Sequence, residues 1–569
     1  MSSLIIVLFG IGGMLLGWWF YSRFVAARIY RLDPGFVTPA HEFNDGRDFV
    51  PTNKYVLWGH HFTSIAGAAP IVGPAIAVYW GWVPATLWVV FGTVFFAGVH
   101  DMGALWASSR HRGRSIGALA ESVVGKRTRA LFMVVVFLVL LMVNSVFGVI
   151  IARAFINSPT AVLPAWAAIV VALICGPLIY RKKFGLVLLS VVGVTALYAA
   201  VYLGSQMPLS LPENLLGMPP AANWILILFA YAAVASMLPV WMLLQPRDYI
   251  NGLQLFVGLF LLYGAVLVVS PEISAPAFNT LTDTDAPSMI PLLFVTVACG
   301  AVSGFHGIVA SGTSSKQLNN EKDVRFVGYF AAIGEGTLAL ITIVAVTGTL
   351  YAANTTLWHQ QYEHFGAGGA QAFVQSGASL VSAGWGISPA VAETLLATML
   401  VLFAGTTMDS GVRLQRYILQ EWGEIYRLPV LQKNVVATLV AVGSCLLIAF
   451  GAGGSSGAGG LVIWPLFGST NQILAGLTLL VISVYLIQLG RPAWATLLPM
   501  SFLLVMSLLA GCVLLLGFVS SGNYLLAGIN LVVLVATVLV ILQAFSVLGR
   551  LLAARKSPVE PIATDPERG

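Results

Sequence analysis

Apolar runs long enough to cross a bilayer recur along nearly the whole of this 569-residue chain. That feature leaves few folds open. Hydrocarbon offers no partner for backbone N–H and C=O groups, so a crossing chain must satisfy them internally, as helices or as a closed barrel. Runs of about twenty apolar residues fit helices. Hydrophobic residues make up 58% of the chain and charged residues 9%, a balance foreign to a soluble domain of this length. The expected spans are 3–21, 57–79, 85–107, 128–152, 164–181, 184–204, 223–243, 251–269, 288–310, 325–351, 390–410, 433–450, 461–489, 494–517 and 523–547, about fifteen in all. The fold class is therefore an all-α polytopic membrane protein.

The net charge of +6 invites a nucleic-acid partner, but the distribution of charge speaks against one. With these spans, every Lys and Arg except Arg153, among 28, falls on one side. The opposite loops 205–222, 270–287, 352–389 and 451–460 hold none. The positive-inside rule then puts the N-terminus outside and the C-terminus in the cytoplasm. The first residues, MSSLIIVLFGIGGMLLGWWFYSRF, lack a basic n-region and a clear cleavage site, and read as a retained helix. Cys175, Cys299, Cys445 and Cys512 are scattered through apolar spans, with neither metal-type spacing nor a disulfide framework.

Several spans are interrupted in a way that plain crossing does not require. Gly59–Pro74, GHHFTSIAGAAPIVGP, mixes histidines, hydroxyls, glycines and prolines inside an apolar segment. Broken backbone at membrane depth is tolerated where it is covered by protein or lines a cavity, and Gly/Pro-interrupted spans point to the site of a secondary transporter. His60, His61, Ser64, Gly67 and Ala68 are the candidates here. The two histidines point about 100° apart on a helix and are not expected to share one ligand. A second break at Ala298–Ser315, ACGAVSGFHGIVASGTSS, supplies Ser303 and His306, followed by Ser311, Thr313 and Ser314, an oxygen-rich end of the kind hard cations use. A third, WPLFGSTNQ, supplies Asn471 and Gln472. Pro239 must disturb span 223–243, with Ser236 beside it to satisfy a freed carbonyl.

Ionisable residues inside spans are functional candidates. Asp101 follows His100 in FFAGVHDMGALW and has either a coupling role or a structural pairing with a loop arginine. Glu335 lies roughly 15 Å into its span with no basic neighbour on its own helix, and is the first choice for a proton carrier. Asp409 stands four residues from Arg413, a spacing that fits a local ion pair. Arg247 and Asp248 read as a local charge anchor. Asn144 and Ser145 read as helix-packing contacts. No His-Glu-x-x-His motif occurs, which argues against a membrane enzyme. A metal transporter built on His60, His61, Asp101 and His306 is short of soft ligands. A channel-like or sensing protein is the other alternative.

The segments NKYVLWGHHFTSIAGAAPIVGPAIA, HRGRSIGALAESVVG, LPVWMLLQPRDYIN, ACGAVSGFHGIVASGTSSKQL, RFVGYFAAIGEGTLA and WPLFGSTNQ resemble signature segments of the carbon starvation protein family (CstA-type). The resemblance runs from about Asn53 to Leu489. It implies a bacterial inner-membrane importer induced under nutrient limitation, of a family associated with peptide uptake and with proton-coupled pyruvate uptake. It also implies the amino-acid–polyamine–organocation superfamily, with a LeuT-type inverted repeat and discontinuous helices. On that pattern residues 1–56 are an N-terminal helix and connector. Residues 57–410 form the core, as repeats 57–204 and 223–410, with span 223–243 as the second broken helix. Residues 411–547 add further helices and 548–569 a cytoplasmic tail. The expected partners are a small-molecule substrate (pyruvate, a peptide or an amino acid), H⁺ or Na⁺ as coupling ion, and membrane lipid. No cofactor, resident metal or nucleic acid is expected, and oligomeric state is not legible.

Overall fold

A computed structural model of the chain describes residues 2–46, 48–180, 186–213, 215–239, 242–279, 287–350, 362, 365, 369–452 and 459–556. Glu363, most of the loop 451–460 and the end of the tail lie outside the described residues. Among the described residues the regular structure is helical apart from two isolated bridges, Ser2 with Glu272 and Thr52 with Leu318. In chain order the helices are α1 (Ser3–Ile29), α2 (Lys54–Ile65), α3 (Ala69–Trp80), α4 (Trp82–Arg110), α5 (Ile116–Val123), α6 (Lys126–Asn157), α7 (Pro159–Leu178) and α8 (Leu188–Gln206). There follow α9 (Pro220–Met237), α10 (Leu244–Val269), α11 (Met289–Thr296), α12 (Gly304–Gly312), α13 (Arg325–Thr349) and α14 (Gly369–Trp385). The last are α15 (Pro389–Ile425), α16 (Asn434–Gly451), α17 (Val462–Gln488), α18 (Trp494–Ser520) and α19 (Tyr524–Arg550). Thirteen described helices are long and apolar enough to cross a membrane, and α2 with α3 adds one more, bent by 51°. The short pair α11 and α12 occupies the segment where the sequence places another span.

Both breaks have local causes. After Ile65 the chain leaves the helix at Ala66 (φ −77°, ψ 67°) and restarts at Ala69, where Pro70, which has no N–H to donate, suits a helix's first turn. After Thr296 it leaves at Val297, passes Gly300 at φ +101°, and restarts behind Ser303 in extended conformation. A side chain at Gly300 would be strained at that φ.

Pro239 behaves differently from the sequence expectation. It does not break a span. The residue before a proline is pushed out of the helical region; Leu238 is extended at φ −68°, ψ 150°, and α9 has ended at Met237. Arg413 Nη2 donates to the carbonyls of Ala235 (3.1 Å) and Leu238 (2.6 Å), so the end of α9 is satisfied inside the protein. The second discontinuous helix is thus α11–α12, not span 223–243.

The helices sort into two groups around the breaks. α2, α3, α4, α12 and α13 pack together, and α11 lies against α3 and α4. α6, α9, α15 and α16 pack on one another. α10 joins them against α2, and α17 joins them against α11 and α12. The α7–α8 hairpin lies outside, against α10 and α15, and α14 covers α3.

The loops meet on two faces. On one face, Thr38 donates to Leu318 O (2.5 Å) and Thr52 N to Gln317 O (3.0 Å). There Glu321 accepts from Arg110 (2.5 and 2.6 Å) and from Asp33 N (2.6 Å). On the other face, Ser3 N donates to Pro271 O (3.0 Å), Trp82 N to Pro276 O (3.3 Å) and Ala275 N to Thr347 O (3.4 Å). Lys and Arg are frequent in the segments 22–56 and 316–325 of the first face and absent from 270–287 on the second.

Candidate functional site

The two breaks face each other, and two glycines, Gly73 and Gly300, allow the approach, while a third, Gly67, lets the first break lie against other helices. A Cβ on Gly67 would stand 2.6 Å from Thr407 Oγ1 and 3.3 Å from Phe147 Cε2, so the unwound turn lies against α15 and α6. One on Gly300 would stand 3.3 Å from Pro70 Cα, and one on Gly73 2.6 Å from the carbonyl oxygen of Thr296. The start of α3 therefore rests on the unwound stretch between α11 and α12. Ala68, inside the first break, is fully buried.

Three expected substrate contacts turn out to hold the second break. Asn471 Oδ1 accepts from Phe305 N (3.0 Å), in the first turn of α12. Its amide donates to Ser303 Oγ (2.9 Å) and contacts Cys299 Sγ (3.2 Å). Gln472 Nε2 donates to Phe294 O (2.5 Å), near the end of α11. A helix end inside the membrane leaves carbonyls and N–H groups without helical partners, and these two adjacent residues of α17 satisfy one on each half.

Beside the second break runs a buried chain of ionisable side chains. His100 Nδ1 is 2.8 Å from Asp101 Oδ1, and Asp101 Oδ2 is 2.9 Å from His306 Nδ1. His306 Nε2 is 3.0 Å from Glu335 Oε2, at ion-pair distance but off the hydrogen-bond direction. The four come from α4, α12 and α13, and none is more than 1% exposed. Sequence reasoning singled out Asp101 and Glu335 for coupling and assigned His306 to substrate; the structure joins all three. It adds His100, which was not selected. Its only signal was adjacency to Asp101, and neighbours in sequence do not ordinarily face one another on a helix.

The hydroxyls at the end of α12 do not converge on a common point. Ser311 Oγ donates to Gly307 O (2.7 Å) and accepts from Ile116 N (3.0 Å), and Thr313 Oγ1 donates to Val309 O (2.9 Å). Ser314 Oγ pairs with His61 Nδ1 at 2.8 Å. His61 is fully buried while His60 is half-buried, as expected for neighbours that point apart. Ser64 Oγ donates back to His60 O (2.8 Å).

Asp409 and Ser236 belong elsewhere. Asp409 pairs with Arg247 rather than with Arg413 and accepts from Tyr231 OH (2.8 Å). A local four-residue pairing loses here because Arg413 is committed to the end of α9. Arg247 also donates to Tyr231 OH (2.8 Å) and reaches Asp248 (3.4 Å), so it anchors three elements, not a local turn. Ser236 Oγ donates to Ala233 O (2.9 Å) at the end of α9. Among the described residues no three or more His, Cys, Asp or Glu side chains are placed to hold a metal ion together.

The family model described as carbon starvation protein CstA matches residues 2–357 and 349–510. A Campylobacter jejuni protein named peptide transporter CstA is 31% identical over 564 residues, covering 90% of this chain and 80% of its own. The Escherichia coli protein named pyruvate/proton symporter BtsT is 32% identical over 590 residues, covering 89% and 80%. Among solved structures, a manganese transporter from Eremococcus coleocola has a TM-score of 0.48 at 13% identity, covering 89% of this chain and 99% of that one. MhsT in complex with L-phenylalanine also has 0.48, at 14% identity, covering 87% and 99%.

Proposed function

Because the chain belongs to the carbon starvation protein CstA family, we propose that it is a bacterial inner-membrane importer of a small carboxylate-bearing nutrient, pyruvate or a peptide, driven by protons through alternating access. The observation that carries this reading is the pair of facing helix breaks, α2–α3 and α11–α12, between two groups of helices. Unwound backbone at a helix start offers N–H groups and a favourable dipole to a carboxylate. The substrate carboxylate is assigned to the start of α3, at Gly67–Ala69. The neighbouring break presents Gly300 to the same place.

The packing supports inverted repeats with boundaries different from the sequence expectation. The first is α2–α3, α4, α6, α9 and α10, with the α7–α8 hairpin inserted. The second is α11–α12, α13, α15, α16 and α17. In each, the broken helix and its successor lie in one helix group, the next two long helices lie in the other, and the last packs on its own broken helix. α5 in the first repeat corresponds to α14 in the second, each placed between the second and third long helices. Lys and Arg on the face of Glu321 and Arg110 orient that face to the cytoplasm, which leaves the N-terminus outside.

The test is uptake of labelled pyruvate by proteoliposomes holding the purified chain under an inward proton gradient, with dipeptide and sodium arms in parallel. Accumulation that collapses with a protonophore is the expected result. Entry of dipeptide alone assigns the peptide substrate, and accumulation that follows only a sodium gradient overturns the proton.

A further inference from the structure

We infer that His100, Asp101, His306 and Glu335 form a single proton-binding unit that alternates between net charges of −1 and 0, and that Glu335 is where the transported proton is held against the second helix break. The inference rests on the reading of the chain as a proton-driven importer and names the site of coupling.

The argument is a count. Three contacts join the four groups, at 2.8, 2.9 and 3.0 Å. A carboxylate oxygen and a ring-nitrogen lone pair repel, so each of these close approaches needs a proton on one of its two atoms. Two neutral imidazoles bring two protons and two carboxylates bring none. Three protons therefore leave the unit at −1, and a fourth makes it neutral. Among the described residues no Lys or Arg is ion-paired to any of the four. His61, bonded to Ser314, and the Cys299 thiol in the break are the other titratable groups whose fields reach it.

The fourth proton has two open positions, one at each end of the chain. Glu335 Oε1 and His100 Nε2 are buried without a hydrogen-bond partner. His100 Nε2 is directed at Gly307, where an added Cβ would stand 3.3 Å from it. Glu335 lies one turn from Ala339, whose Cβ would stand 2.9 Å from a Cβ added at Gly300, and Gly300 is itself against Pro70 at the start of α3. A proton arriving on Glu335 converts a carboxylate acceptor beside the break into a hydroxyl donor. The break, and with it the proposed carboxylate position, then rearranges.

Two measurements test it. Infrared difference spectra of the detergent-purified chain across pH should show a carboxylic-acid C=O band that disappears in Glu335→Gln; no such difference overturns the proton site, whatever the substrate. In proteoliposomes carrying an internal pH dye, the native chain should move one proton with each pyruvate or dipeptide, with no change when sodium is replaced by choline. Glu335→Gln should lose gradient-driven accumulation, to an inside-to-outside ratio near one, while counterflow persists above that of empty vesicles. Accumulation retained in Glu335→Gln, or substrate uptake by the native chain without proton movement, overturns the inference. A band that titrates in a chain moving neither pyruvate nor dipeptide leaves the proton-binding unit standing and removes the import reading.

Discussion

Arg247→Ala is expected to remove the folded protein from the membrane rather than to impair transport selectively. Arg247 is 3% exposed and pairs with Asp409, Asp248 and the Tyr231 hydroxyl, joining α9, α10 and α15. Deleting it leaves two buried carboxylates without their ion-pair partner. Breaking a buried pair from one side costs about 3–5 kcal/mol, because the remaining charge stays desolvated. With a margin of about 5–15 kcal/mol for a typical domain, a loss of that size is expected to cut monodisperse protein at least about tenfold. Size-exclusion of a fluorescent fusion from membranes measures it. The same principle predicts the rescue. The triple change Arg247→Met, Asp248→Asn, Asp409→Leu removes the charges together and should restore most of the yield. A failed rescue would mean that the network fixes the α9–α10 geometry beyond its charge balance. Arg413 bears on the same geometry, because it holds the carbonyls at the end of α9.

How much of this was legible before the structure depended on the range of the interaction. The spans were legible because burial in lipid writes itself along the chain as apolar length. The breaks at Gly67 and Gly300 were legible because glycine, serine and proline crowd together there inside such length; the same crowding at 464–472 marks no break, since α17 runs unbroken through Pro465 and packs its Gly468 on α11. Pro239 was misread for a related reason. A proline marks where a helix stops, but not whether that point lies inside a span or at its end. Partnerships between distant residues left no local trace. Asp101 and His306 are 205 positions apart and meet at 2.9 Å. Asp409 has Arg413 four residues away, yet its partner Arg247 is 162 positions off. Asn471 was read as part of a third break, but it stands on the unbroken α17 and braces the second one, accepting from Phe305 N and pairing with the Ser303 side chain.

The second large effect follows from that division of labour between α17 and the second break. Gly468→Ala should reduce uptake by more than about tenfold while the protein still reaches the membrane. A Cβ at Gly468 would stand 2.0 Å from the carbonyl oxygen of Val295, a backbone atom of α11 that has no free rotation with which to yield. Overpacking of this kind costs about 1–3 kcal/mol, and here the strain has one direction in which to relax, the separation of α17 from α11. Asn471 and Gln472 lie about one turn further along α17 and hold the two halves of the break by bonds of 3.0 and 2.5 Å. A shift of a few tenths of an ångström weakens both together. Gly405 provides the control, since nothing lies within 4 Å of its added Cβ on α15. Gly405→Ala should transport like the native chain, because alanine in an open helical position is favoured over glycine by roughly 0.5–1 kcal/mol. Uptake in Gly468→Ala equal to that of Gly405→Ala would mean that the second break keeps its shape without α17. The geometry for substrate and proton would then have to be held by the α3 and α13 contacts alone.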